Sequence, residues 1–178
     1  NGPSSLCLVT VAHGFSMKKV LLFLLFAFLL VGSAQSRELI DQLGRKVEVA
    51  ETLTRVVSLI PSLTETSYEV GGGDRLVGAT RLATFPAAAA KLPRVGSYIA
   101  LDIERIVKLK PQLCLATKDG NPKASVERLE SLGIPVYVFD PKSLEDVVDT
   151  VVRLGEIYGM EEQAAALVSG YQRRLDKV

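Results

Sequence analysis

The chain has 178 residues, 48% hydrophobic and 23% charged, with a formal net charge of +1, one His, two Cys and no Trp. A near-zero charge without a basic run argues against a nucleic-acid partner. The mean hydropathy of +0.25 is high for a water-exposed domain, and the excess sits in one place, the block Val20 to Val31 (VLLFLLFAFLLV).

That block follows Met17, Lys18 and Lys19 and precedes the small-residue stretch Gly32 to Ser36. Basic, apolar and small-residue segments in this order read as a secretory signal peptide over 17–36. The apolar run is shorter than the about 20 residues a helix needs to cross the hydrocarbon core. Residues 1–16, ahead of Met17, read as an upstream or non-native segment. Removing 1–36 takes away His13, Cys7 and two lysines but no acid, so the mature chain turns negative, with Cys114 and no His. That excludes Ser-His-Asp and Cys-His catalysis, His-ligated zinc and an internal disulfide. No catalytic residue, metal ligand or cofactor is assigned.

The mature chain opens with two short apolar pieces, Glu38 to Ile40 and Lys46 to Val49, flanking Asp41-Gln42-Leu43-Gly44; this predicts a β-hairpin. Val56 to Ile60 is a β-branched run fit for a buried strand, and Pro61 breaks it. Ser62 and Glu65 have capping-box spacing before a helix that ends at Gly71-Gly72-Gly73. Leu76 to Ala79 is the next strand. A looser stretch, RLATFPAAAAKLPRVGSYIAL, leads to Asp102, an N-cap for the helix IERIVKLK that Pro111 stops.

Leu113 to Ala116 is a strand, Thr117 to Pro122 a loop, Ala124 to Leu132 a helix ended by Gly133, and Val136 to Phe139 the last strand. Ser143 with Asp146 starts a helix whose apolar positions 144, 147, 148, 151, 154 and 158 follow a 3.6 period. A final amphipathic helix covers 161–178, with Ala164, Leu167, Val168, Tyr171, Leu175 and Val178 on one stripe. Short apolar strands separated by helices predict an α/β fold with a central, mainly parallel sheet.

Gly71 to Asp74 is no phosphate loop, because the glycines end a helix instead of opening one and no G-x-G-x-x-G occurs. Pro61-Ser62-Leu63-Thr64-Glu65 lies where open α/β sheets place ligands; its spacing serves equally a cap or a ligand loop. Glu104, in a first helical turn, complements the helix dipole. Tyr98 could stack on a ligand or cover the core edge. Cys114, inside an apolar strand, reads as an inert thiol. Lys118 and Asp119 occupy a loop on the ligand side.

The runs DQLGRKVEV, RVVSLIPSLTE, GGGDRLVGAT, FPAAAAKLPRVGSY and LDIERIVKLKPQLCLAT, in this order, resemble the periplasmic substrate-binding proteins of ABC importers for cobalamin, ferric siderophores and haem. The resemblance runs over residues 38–178. It implies a Rossmann-like N-terminal α/β lobe over 37–160, then the start of a rigid interlobe helix over 161–178, with the second lobe absent from this chain.

It further implies that a metal chelate, cobalamin or a ferric siderophore, meets Pro61, Ser62, Leu63, Arg81, Leu82, Phe85, Tyr98 and Lys118. Tyr98 matches an aromatic that packs on the ligand in the cobalamin-binding member. Glu104 matches a surface glutamate that docks on the ABC permease of the inner membrane. Leu82 and Lys118 stand where the cobalamin binder has aromatic rings, and Phe85 near the place where haem binders offer a tyrosine. The implied protein is periplasmic, non-enzymatic and monomeric when complete. The competing expectations are an exported one-lobe sensor or adhesion module and a small exported hydrolase. The hydrolase lacks both His and a G-x-S-x-G elbow.

Overall fold

The structure is a computed structural model in which residues 35–175 are described. The upstream segment 1–16, nearly all of the expected signal peptide and the stripe residue Val178 lie outside the described residues. Strands β1 (Ser36–Ile40) and β2 (Lys46–Ala50) form the expected antiparallel hairpin, with Ser36 opposite Ala50 and Ile40 opposite Lys46. Ser36 is thus paired within the fold, one residue ahead of the boundary expected at 37. At the tip the Asp41 carboxylate accepts from the amides of Leu43 (3.0 Å) and Arg45 (2.9 Å), an Asx turn that Gly44 completes at φ 76°.

The rest alternates strand and helix: β3 (Val56–Ser58), α1 (Pro61–Val70), β4 (Leu76–Ala79), α2 (Ile103–Lys108), β5 (Leu113–Thr117), α3 (Lys123–Ser131), β6 (Val136–Phe139), α4 (Leu144–Tyr158) and α5 (Glu161–Leu175). The four later strands make one parallel sheet in the order β4-β3-β5-β6. Both faces are covered, which is why these strands read as continuous apolar runs. Leu113, Leu115, Tyr137 and Phe139 point toward the hairpin, α1, α4 and α5. Cys114, Ala116, Val136 and Val138 alternate onto the opposite face, against α2 and α3. Each fully buried Leu or Ile, such as Leu115 or Ile157, contributes about 1.5–3 kcal/mol.

β6 lies at the sheet margin, and the hairpin tip covers its open side. The Gln42 amide donates to the Val138 carbonyl (3.2 Å), the Gln42 side-chain oxygen accepts from the Asp140 amide (2.7 Å), and Arg45 donates to the Val136 carbonyl (3.1 Å). The edge groups that would otherwise template another strand are thereby occupied.

Two expectations need correction. The capping box of Ser62 with Glu65 does not form: Ile60 is the N-cap, without a side-chain cap bond, and Pro61 takes the first helical position. Proline's fixed φ suits that position, so the helix starts two residues too early for Ser62 to cap it. On α4, Val151, Leu154 and Tyr158 are buried together with the unexpected Ile157, whereas Leu144 and Val147 are exposed. Burial concentrates where α5 crosses, at Gly155, where a Cβ would lie 2.5 Å from that of Ala164. The capping box at Ser143 and Asp146 forms as expected, and so does the N-cap at Asp102.

Candidate functional site

All four parallel strands end on one side, and the chain passes from β3 outward to β4 and then across to β5. The carboxyl ends of β3 and β5 therefore flank a topological switch point, the place where open α/β sheets carry ligands. Four loops meet there.

In the β3–α1 loop, the buried Ser58 hydroxyl donates to the Ile60 carbonyl (2.9 Å) and accepts from Thr64 Oγ1 (2.9 Å). Pro61 is half-buried and Ser62 exposed. Leu63, expected on the ligand surface, is instead only 2% exposed and packs in the core with Val70 and Phe139. One helical residue past Ser62, its side chain turns inward with the apolar face of α1.

After β4, the loop carries Arg81, Leu82 and Phe85, with Leu82 63% and Phe85 62% exposed. The Arg94 guanidinium holds this loop from behind, donating to the carbonyls of Thr80 (3.0 Å), Ala83 (2.9 Å) and Ala90 (2.8 Å). The Arg81 amide donates to the Gly96 carbonyl (2.9 Å), which sets the next turn beside it. That turn is closed by Ser97 N to Ala100 O (3.0 Å) and Ala100 N to Ser97 O (3.2 Å), leaving Tyr98 and Ile99 at its tip, 36% and 64% exposed.

The β5–α3 loop brings Lys118, whose ammonium lies 3.1 Å from Asp140 after β6; Lys142 reaches the same carboxylate at 3.2 Å. Partial desolvation works against it, but the two ammonium groups hold the Asp140 carboxyl below the usual carboxylate range. Lys118 is thus committed to an ion pair at the rim. Asn121, buried at the base of the same loop, donates to the carbonyls of Leu59 (3.1 Å) and Tyr98 (2.9 Å) and accepts from the Thr117 amide (3.0 Å).

Of the residues expected at the site, Pro61 and Ser62 at the start of α1 and Arg81, Leu82, Phe85, Tyr98 and Lys118 on loops lie at this one edge, and Leu63 does not reach its surface. Glu104 stands apart in the first turn of α2, exposed and, among the described residues, without a cationic partner. Sequence reasoning passed over Arg94 and Asn121. Arg94 carries no local signal, while the turn-type string Asp119-Gly120-Asn121-Pro122 marks a place where an Asn side chain bonds to backbone. The edge leaves four large apolar side chains exposed, Leu82 and Phe85 on one loop and Tyr98 and Ile99 on the next, the two loops joined by the Arg81–Gly96 backbone bond. That suits holding a large, partly apolar molecule.

A family profile described as periplasmic binding protein matches residues 56–178. A vitamin B12-binding protein of Yersinia pestis (strain Pestoides F) is 35% identical over 127 residues, which cover 71% of this chain and 45% of that protein. Among solved structures, the periplasmic vitamin B12 binding protein of Vibrio cholerae is similar with a TM-score of 0.65 at 31% identity, over 70% of this chain and 49% of that one. A periplasmic heme binding protein from Pseudomonas aeruginosa is similar with a TM-score of 0.67 at 30% identity, over 70% and 45%. The chain spans about half the length of the relatives it matches.

Proposed function

This chain belongs to the periplasmic binding protein family, and from that premise we propose that it captures a metal chelate, cobalamin or a ferric siderophore, for an ABC importer. It works in the periplasm by binding and release, without chemistry on the ligand. The observation that carries the reading is the set of exposed apolar side chains at the carboxyl edge of the sheet, where Leu82, Phe85, Tyr98 and Ile99 are each at least 36% exposed. Four large apolar side chains left open on hydrogen-bonded loops serve no core, and such groupings mark binding surfaces. A chelate with broad apolar faces matches them, and Arg81 at the margin suits a polar or anionic substituent. In this reading Glu104 docks the protein on the permease of the inner membrane, and the complete protein is a monomer.

The test is calorimetric titration of the full-length protein with cyanocobalamin, ferrichrome and haemin. Cyanocobalamin or ferrichrome is expected to bind, and binding of haemin alone would overturn the proposed ligand class. Phe85→Ala and Tyr98→Ala should each weaken that binding about tenfold, in line with aromatic contacts worth about 1 kcal/mol beyond their buried area. Their melting temperatures should stay within about 2 °C of the parent, since exposed side chains add little to stability. Failure of both cyanocobalamin and ferrichrome to bind, or indifference to both substitutions, would count against the proposal.

A further inference from the structure

We propose that Asn121 is the positioning residue of the ligand-facing edge, its side-chain amide clasping three loops into one preformed surface; this rests on the reading given under Proposed function. Asn121 is 5% exposed, and its amide is used in full. One N–H donates to Leu59 O (3.1 Å), 62 residues earlier, and the other to Tyr98 O (2.9 Å), 23 residues earlier. The side-chain oxygen accepts from the amide of Thr117 (3.0 Å), the last residue of β5. A single buried group therefore joins the β3–α1 loop, the Tyr98 turn and the β5–α3 loop.

Gly120 makes the clasp reach. A Cβ at that position would lie 2.3 Å from Ile60 Cδ1 and 2.5 Å from Thr117 Oγ1, so the first loop rests directly on the third only because no side chain intervenes. The turn from Ser97 to Ala100 closes on itself, and its flank is tied to Arg81 through Gly96. Its tip, which bears Tyr98 and Ile99, is held to the sheet through Asn121. Without the amide donors the Leu59 and Tyr98 carbonyls lose a buried partner, and the tip is free to move. A ligand would then have to order the tip on binding, at a cost in affinity that a preformed surface avoids.

The experiment compares the full-length protein with Asn121→Asp, which is nearly isosteric and keeps the acceptor for Thr117 N but has neither N–H donor. Amide hydrogen exchange is followed at Ser97 to Leu101, with β4 and α4 as internal references, together with affinity for whichever of cyanocobalamin, ferrichrome and haemin the parent binds. The expected result is at least tenfold faster exchange at Ser97 to Leu101, unchanged exchange in the references, and about tenfold weaker affinity. Unchanged exchange in the turn overturns the clasp, and faster exchange with unaltered affinity overturns its role in positioning. If Asn121→Asp does not fold, Asn121→Ser, which keeps one donor, is read by the same criteria. Should the parent bind neither cyanocobalamin nor ferrichrome, the functional reading falls by itself, while the exchange result still decides whether Asn121 holds the turn.

Discussion

Gly96 is the residue on which the Tyr98 turn most directly depends. Its φ of 94° is left-handed, and a Cβ there would lie 2.4 Å from Ala100 O and 2.8 Å from Asp102 N. Both obstacles are backbone atoms of the turn and the following cap, so no side-chain rotation relieves them. Gly96→Ala is expected to cost about 2–3 kcal/mol, the sum of left-handed strain and a local clash. Urea unfolding measures this, and a loss below about 1 kcal/mol would mean that the turn yields more easily than its closed geometry implies. Cys114 shows the opposite kind of residue, one whose state follows from its immediate neighbours in sequence. Set in LCLAT, it is fully buried, and burial pushes its thiol up to about 12, as the inert reading requires.

Two stretches share the S-x-x-[DE] pattern, yet one of them caps a helix and the other does not. Ser143 accepts from the Asp146 amide (3.1 Å), and the Asp146 carboxylate accepts from the amides of Ser143 (2.9 Å) and Lys142 (2.9 Å). Those amide bonds hold the Asp146 carboxyl below its ordinary range. Its contribution is therefore present at neutral pH and is lost as pH falls through the lowered value. Ser62 follows a proline already in the helix and makes no such bond. Ser143→Ala should accordingly lower stability by about 1 kcal/mol. Ser62→Ala should change it by less than about 0.5 kcal/mol. Parallel denaturation of the two variants checks the contrast, and equal losses would contradict it. The residue before each serine decides the outcome: Lys142 leaves Ser143 free to adopt an extended N-cap conformation, whereas Pro61 starts the helix itself.

For the molecule as a whole, the candidate binding edge and the proposed docking residue lie on successive pieces of chain, since the Tyr98 turn runs through Asp102 directly into the first turn of α2. If Glu104 docks the permease as proposed, affinity and delivery are separable, because its side chain is exposed and makes no ion pair among the described residues. In the intact protein Glu104→Lys is expected to leave chelate affinity within about twofold of the parent and to reduce uptake in cells at least tenfold. Uptake equal to the parent would remove Glu104 from the docking surface.

Residues 35–175 were legible as an alternating α/β chain because the strands of the parallel sheet are short apolar runs, the two long helices α4 and α5 carry a 3.6 period, and caps, glycines and prolines bound the others, signals that neighbouring residues suffice to create. The strands Leu76–Ala79 and Val136–Phe139, the Asp102 cap, the Ser143 box and the hairpin all follow from such local rules. The collection of Pro61, Arg81, Leu82, Phe85, Tyr98 and Lys118 on one edge came from family resemblance, not from spacing. What only the tertiary structure decided is how that edge is held and which residues it leaves open. Leu63 turned inward because α1 begins at Pro61. The hairpin tip became the cover of β6, and Arg94 and Asn121 became the braces of the loops. Each of these depends on backbone carbonyls or strand edges that lie far away in sequence and close together only after the sheet has formed.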